Sequence, residues 1–434
     1  MNKYNYIHNP ETGRNVKIYS KKGKQILKKY VQFSGFKKID KSMTIQSMKK
    51  YVRNILYGGA INECYNLKLD DIKLHDIVDI NNNFYNIIDS QHLNSVFIRS
   101  NKLCGKGSIK EIYMGIQVKN LTNIKLVAWG DINLRIVKDP NIHKNIIKEV
   151  KLLKQLKETN KIYFDYFIDT LYDKIAHKVS IITNFFPMGT ITEYLMRNFK
   201  GGRYYRKLIE LLIQLSDGVS ELHKLNIVHR DIKPANILIG ENGGIKIIDF
   251  GESIKLESRD EIITTLDGGT PLYMAPEMLM SPIQYVENVD VYAIGITIMN
   301  LCLYSLRLYS SDYDFKPAPF GFLNYNFPKY VYSDENNWGN LAVHISKFVP
   351  GDMDISKRIS KANKLIGKLD NVIEDKSIYN ILMDAAKMCF RNPGIIRYTG
   401  KLDSKEPDID EKREDIQTFR PSAEELRDYF QSFS

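Results

Sequence analysis

Two carboxylates and a carboxamide, grouped around a short glycine-containing turn, are the residues best suited to chemistry in this 434-residue chain. The segment His229-Arg230-Asp231-Ile232-Lys233-Pro234-Ala235-Asn236 is followed, thirteen residues after Asn236, by Asp249-Phe250-Gly251. Phosphoryl transfer needs a carboxylate to orient the attacking hydroxyl and metal ions to neutralise the phosphates. Asp231 suits the first task. Asn236 and Asp249 suit the second, because Mg²⁺ is held through hard oxygen ligands. A lone His-Arg-Asp triplet would mean little, but the joint pattern in this order and spacing is specific.

Such groups have to be delivered by defined elements. Ile245-Lys246-Ile247-Ile248 reads as a strand that carries Asp249 to the site. The pattern is β-rich from about Val96 to Ile136, with a helix expected over 142–156 and two further strands ending near Asn184. From Ile191 onward it is mainly helical. The fold class expected is therefore α+β, with a β-rich small lobe feeding a helical large lobe and a cleft between them as the natural ligand site. The boundaries expected are an extension over 1–91, a small lobe over about 92–188 and a large lobe over about 189–434. Residues 308–354, rich in aromatics and proline, could form a docking surface, and 392–416 reads as an exposed polar loop.

Composition narrows the classes. An apolar content of 43% supports a sizeable core. No N-terminal stretch pairs a basic start with an apolar run, so a signal peptide is not indicated. The longest uncharged run, 291–306, is too short for a bilayer span and reads as a buried helix, so no transmembrane segment is expected. Cys64, Cys104, Cys302 and Cys389 are scattered without a CxxC pair, which fits a reducing compartment. The net charge of +11 is concentrated: residues 1–53 hold 14 Lys and Arg against Glu11 and Asp40, which leaves the remainder close to neutral. That segment contains turn signals at Asn9-Pro10-Glu11-Thr12-Gly13-Arg14 and a short basic helix expected over 23–30. It would favour an acidic partner such as nucleic acid or an anionic surface, or serve simply as a solvated basic tail.

With these motifs in place, residues from about 96 to 434 resemble a eukaryotic-type protein kinase domain. Gly268-Gly269-Thr270-Pro271-Leu272-Tyr273-Met274-Ala275-Pro276-Glu277 is similar to the end of a kinase activation segment. Asp290-Val291-Tyr292-Ala293-Ile294-Gly295 resembles the start of the central helix, whose Asp holds the catalytic loop. Phe419-Arg420-Pro421-Ser422-Ala423 resembles the last subdomain, where Arg420 would pair with Glu277. Lys233 matches the serine/threonine kinase variant, in which it contacts the γ-phosphate. The resemblance implies ATP and Mg²⁺ as cofactors and a protein bearing Ser or Thr as substrate. It also implies that Leu103, Gly105, Gly107, Ala128, Thr183, Phe185 and Leu238 hold the nucleotide, with Thr183 opening the adenine-binding hinge. Arg230 before the catalytic Asp is typical of kinases switched by phosphorylation, with Ser258, Thr264 and Thr265 as candidate acceptors and Thr270 organising the site.

The small lobe departs from the kinase pattern. Where G-x-G-x-x-G-x-V is usual, this chain has Gly105-Lys106-Gly107-Ser108-Ile109-Lys110-Glu111-Ile112-Tyr113. Where V-A-I-K is usual, it has Val127-Ala128-Trp129-Gly130, so the phosphate-binding lysine is replaced by glycine. Either the site is dead, or another ammonium reaches the phosphates. Adjacent strands lie only about 4.8 Å apart, a span that a lysine stem crosses. Lys110 on the neighbouring strand could therefore fill the space over Gly130. The paired change resembles the with-no-lysine kinase family, in which Glu149 of the following helix would pair with Lys110. That family usually has leucine where this chain has Phe250, so its chloride site is not carried over. Lys106, Lys119 and Lys125 read as surface lysines. The N-terminal NPxTGR-like segment is similar to segments in proteins of large cytoplasmic DNA viruses, which implies host cytoplasm or virion as the location. A scaffold of the same fold that binds partners without phosphotransfer is the rival reading.

Overall fold

The computed structural model describes residues 6–9, 14–17, 95–106, 110–119, 123–134, 140–164, 166–173, 177–258, 261–264, 268–279, 285–307, 323, 326–349, 354–393 and 419–433. The basic helix expected at 23–30, the stretch 54–91, Gly107, Thr265, residues 308–322 of the first insertion and nearly all of 392–416 lie outside the described residues. The chain divides into two units, Met1–Lys144 with Tyr166–Pro187, and Asn145–Asp165 with Met188–Ser434. The first is β-rich and the second mainly helical, as the α+β class requires.

In the first unit, β1 (Tyr6–Asn9) and β2 (Arg14–Lys17) form an antiparallel pair, with Asn9 opposite Arg14. The NPxTGR-like segment thus connects two strands. The main sheet contains β3 (Ser95–Lys106), β4 (Lys110–Lys119), β5 (Asn123–Asn133), β6 (Phe167–Asp173) and β7 (Lys178–Asn184), in the order β3-β4-β5-β7-β6. All neighbours are antiparallel. Side chains alternate between faces along a strand. Val127 and Ile182 therefore share one face and are buried there with Ile168, against Trp129 and Leu171. The opposite face receives Ala128 and Gly130 of β5, Met114 and Ile112 of β4, and Thr183 and Ile181 of β7. On the Trp129 face the buried Asp131 ties three strands: it accepts hydrogen bonds from Arg99 (2.8 Å), the Trp129 indole (2.7 Å) and the Ser180 hydroxyl (2.5 Å).

Helix α1 (Pro140–Glu158) follows the third strand of this sheet. The second unit contains α2 (Ile191–Asn198), α3 (Gly202–Lys224), β8 (Ile227–Val228), β9 (Ile237–Ile239), β10 (Ile245–Ile247) and β11 (Ile254–Lys255). It continues with α4 (Val289–Leu306), α5 (Phe327–Ser333), α6 (Leu341–Ile345), α7 (Ile355–Val372), α8 (Lys376–Cys389) and α9 (Ala423–Gln431). Helix α3 buries Leu208, Leu211, Leu212, Leu215, Val219 and Leu222, the i, i+3, i+4 stripe of an amphipathic helix. Helix α4 is apolar on every side and long enough to cross a bilayer, yet 94% of it is buried within the protein. It is the core helix of this unit, as the uncharged run at 291–306 predicts. Tyr204 and Tyr205 of α3 fasten to it, through the Leu301 carbonyl at 2.9 Å and the Ser305 hydroxyl at 2.7 Å.

Polar contacts fix the chain at the start of α9. Ser422 and Glu425 form a capping box that starts α9. Just before it, Arg420 pairs with Glu277, and both side chains are fully buried. The described part of the 308–354 insertion differs from a docking surface: Phe327, Val331, Leu341, Val343, Ile345 and Phe348 are buried. Its aromatics reflect a packed core.

A buried ion pair broken on one side leaves an uncompensated charge, at a cost of about 3–5 kcal/mol. Arg420→Met should therefore lower the unfolding free energy by about that amount in urea titrations. Lys387→Ala, at an exposed pair with Asp384, should change it by less than about 1 kcal/mol.

Candidate active site

The short antiparallel pairs β8–β11 and β9–β10 hold the loops on which the candidate residues lie. The loop after β8 is fixed from below by Asp290, at the start of α4 and fully buried. One Asp290 carboxylate oxygen accepts the His229 backbone N–H at 2.8 Å and contacts the His223 ring at 3.0 Å. The other accepts the Arg230 N–H at 2.8 Å. Burial by itself would raise the Asp290 carboxyl, but His223, with His229, overturns this and holds it below its ordinary value. The His229 ring meets the Ile248 carbonyl at 3.1 Å, which links this loop to the strand end before Asp249.

Arg230 and Asp249 both adopt left-handed backbone, with φ of 64° and 66°. Strain of this kind in residues other than glycine persists only where surrounding contacts enforce it, and it concentrates at functional sites. For Arg230 the enforcing contacts are the Asp290 bonds and its own side chain, which donates to the Glu252 carbonyl at 2.6 Å and the Tyr285 hydroxyl at 3.1 Å. Phe250 is buried beside the His229 and Phe164 rings, with centroids 4.9 and 6.2 Å away.

Asp231 is nearly buried and is the hub of the site. Lys233 Nζ donates to Asp231 Oδ2 at 2.6 Å and to the Thr270 hydroxyl at 2.7 Å. The Asn236 carboxamide nitrogen donates to the same oxygen and to the Asp231 carbonyl, each at 2.9 Å. Thr270 completes the ring, its backbone N–H and hydroxyl reaching Oδ1 at 3.0 and 2.6 Å. Thus Asp231, Lys233, Asn236 and Thr270 form one constellation. Before Thr270, Gly268 and Gly269 have φ of 111° and 102°, and a β-carbon on Gly268 would overlap the Glu252 carboxylate. Burial, with the Asp231 and Asp249 carboxylates adding to it against Arg230, raises the Glu252 carboxyl.

The Ile248 N–H donates to the Asn236 carbonyl at 2.9 Å, which sets Asp249 close in the fold to Asn236. With its nitrogen donating to Asp231, the Asn236 carboxamide presents an oxygen as its acceptor end. Among the described residues no cluster of three or more His, Cys, Asp and Glu could cage a metal. A donor set of one carboxamide and one carboxylate suits Mg²⁺, which is held by few protein oxygens together with phosphates and water. Buried Glu149 of α1 directs its carboxylate to this turn: a β-carbon on Gly251 would lie 4.0 Å from Glu149 Oε2 and 3.6 Å from Asp249 Oδ1. Leu238, the middle residue of β9, also bridges to Thr190.

In the β-rich unit, Lys110 begins β4 on the face that bears Ala128, Gly130 and Thr183. A β-carbon on Gly130 would stand 3.1 Å from Lys110 Cδ and 3.2 Å from Ile112 Cδ1. The lysine stem therefore lies over the glycine, and a side chain at 130 would crowd it. Gly105 is on the same side, its would-be β-carbon 3.8 Å from Ile112 Cβ. Ala128 and Thr183 are direct register partners. Leu103 is 44% exposed and falls between two irregularities in the β3–β4 register. Phe185 follows β7 and is half-buried. Not legible in the sequence were His223 beneath Asp290 and the Asp131 cluster behind Gly130, since nothing local marks either partner.

The sequence model of the protein kinase domain family matches residues 98–316 of the chain. The chain is similar to a probable cell division protein kinase of Encephalitozoon cuniculi, 30% identical over 204 residues, covering 46% of this chain and 69% of that protein. It is similar to cyclin-dependent kinase-like 2 of Rattus norvegicus, 33% identical over 202 residues, 46% of this chain and 37% of that protein. A probable serine/threonine-protein kinase of Dictyostelium discoideum is 30% identical over 260 residues, 58% of this chain and 38% of that protein. The chain thus spans less than half the length of the latter two.

Loss of the Asp290 charge would strand the N–H groups of His229 and Arg230 in a dry site. Asp290→Ala should lower the unfolding free energy by about 3–5 kcal/mol in urea at neutral pH. Because the folded carboxyl sits below its unfolded value of 3.8, the wild-type advantage is present above that pH. It should shrink as pH falls through the folded value, which titrations of both proteins at several pH values would register.

Proposed function

Because the chain belongs to the protein kinase family, we propose that it transfers the γ-phosphoryl group of ATP to serine and threonine hydroxyls of proteins, with Lys110 in place of the missing third-strand lysine. One observation carries this reading: the Lys110 stem lies over Gly130, 3.1 Å from where a side chain at that position would begin. The cation lost from one strand is supplied by its neighbour.

Asp231 orients the acceptor hydroxyl and receives its proton as the oxygen attacks the γ-phosphorus, while the bond to the ADP oxygen breaks. Lys233, already bonded to Asp231 and Thr270, steadies that carboxylate and offers positive charge to the transferring group. A lysine at this position also supports hydroxyl acceptors of the serine/threonine type. Asn236 and Asp249 would hold Mg²⁺, which when bound supplies charge neutralisation at the phosphates. Glu149, set beside the Asp249–Gly251 turn, is assigned the task of orienting the phosphate-binding lysine. Leu103, Gly105, Gly107, Ala128, Thr183, Phe185 and Leu238 are assigned to the nucleotide.

The competing reading, a scaffold that binds partners without phosphotransfer, draws on Gly130 alone. Incubation with labelled ATP, Mg²⁺ and a generic basic protein separates the two: transfer supports the enzyme, and its absence at high enzyme concentration would exclude it. Asp231→Ala should lower the transfer rate by about 10²–10⁴-fold while the protein stays folded, as circular dichroism would show. Lys110→Met should cost about 10²–10³-fold, whereas Lys125→Met, at an exposed position two residues before Val127, should stay within about twofold of wild type. Equal effects of the two lysine substitutions would eliminate the relocated cation.

A further inference from the structure

Lys347 is a lysine with no exposed surface, in the short turn Ser346–Phe348 after α6. Its ammonium donates to the backbone carbonyl of Met274 at 2.8 Å and to that of Leu272 at 3.4 Å. It also faces the Phe327 and Tyr292 rings, 4.3 and 4.9 Å from their centroids. Burial drives this ammonium well below its usual range, opposed by the nearby Glu277 carboxylate and reinforced by Arg420. Burying a cation is costly unless its hydrogen bonds are fixed. The turn is accordingly braced by a second buried cation, Arg358, which donates to the carbonyls of Ser346 and Val349.

The carbonyls held by Lys347 are in a special stretch of chain. Thr270, two residues before Leu272, touches the Asp231 carboxylate directly. The Tyr273 N–H folds back onto the Thr270 carbonyl at 2.8 Å. Glu277, three residues beyond Met274, is fixed by Arg420. The segment 270–277 is therefore pinned at both ends, and its middle is shaped by one ammonium from a distant turn. Consecutive Cα atoms are about 3.8 Å apart, so this middle lies within a few residues' reach of the carboxylate assigned to orient the acceptor hydroxyl. Leu272 and Tyr273 are partly exposed there, a surface open to a polypeptide that presents a serine or threonine to Asp231.

We propose that Lys347 is a positioning residue for the acceptor protein, holding the backbone of 272–274 in the shape that receives the chain flanking the phosphorylated hydroxyl. The inference rests on the kinase reading. It goes beyond that reading in assigning acceptor recognition to a residue of the aromatic-rich insertion. Lys347 does not reach the reacting atoms. Its effect is exerted through the two carbonyls, so it should act on the acceptor and not on the nucleotide.

The test is steady-state phosphorylation of a generic basic protein by wild type, Lys347→Met and Lys347→Gln, with thermal unfolding and hydrogen exchange of the 272–275 amides measured alongside. Lys347→Met keeps the stem and removes every donor; its KM for the acceptor should rise about tenfold or more while KM for ATP stays within about twofold. Lys347→Gln keeps a neutral donor and should fall between Met and wild type, with exchange of the 272–275 amides faster in both variants. An unchanged acceptor KM in folded Lys347→Met overturns the proposal, as does a parallel rise of both KM values. Failure of both variants to fold also overturns it, since the lysine would then be purely structural. Wild-type protein that transfers no phosphate would sink the kinase reading and this inference with it, an outcome distinct from an active wild type matched by its variants.

Discussion

A single buried carboxylate, Asp290, fixes the backbone on which the site depends. Its two oxygens accept the N–H groups of consecutive residues, His229 and Arg230, and one of them also contacts His223. A peptide segment held at both N–H groups cannot relax its dihedrals, which is how Arg230 retains a φ of 64°. That conformation turns the chain so that Asp231, Lys233 and Asn236 converge with Thr270. The charge is affordable inside the protein only because each oxygen is satisfied; the same group without its partners would be strongly unfavourable.

The packing of Lys110 over Gly130 follows from strand geometry. On a pleated sheet, residues of neighbouring strands that face the same side are separated by only one strand spacing. A glycine at 130 clears the volume and a lysine at 110 fills it, with the stem in contact with the cleared position. The glycine and the lysine share one volume, so the size of one bears on the placement of the other. A side chain at 130 would crowd the lysine stem, and a short residue at 110 would leave the space empty. Behind this position, on the other face, Asp131 fastens Arg99, Trp129 and Ser180 from three strands. The sheet is thereby held in the register that places Lys110 diagonally across from Gly130.

The helical unit uses buried cations repeatedly. Arg420 meets Glu277, Arg358 meets backbone carbonyls, and Lys347 meets the carbonyls of Leu272 and Met274. Apolar packing would stabilise these places at less desolvation cost. What a cation adds is direction, since its donors fix particular carbonyls in particular orientations. Arg420 and Lys347 act directly on the stretch from Thr270 to Glu277, and Arg358 braces the turn that carries Lys347.

The sequence by itself determined the class of fold and supplied the residues on which the proposed chemistry draws. The order and spacing of Asp231, Lys233, Asn236 and Asp249, the change from period-two to helical patterning near Ile191, and the glycine at 130 are local features, readable wherever the chain is in space. Helix and strand existence was equally legible, because both arise from short-range periodicity. The tertiary structure alone decided which distant groups meet. Lys347 is 73 residues from Met274, His223 is 67 from Asp290, and the aromatic insertion proved to be core at Phe327 and Phe348. A lysine in sequence looks the same whether solvated or buried, and its role is set by long-range packing that no local pattern encodes.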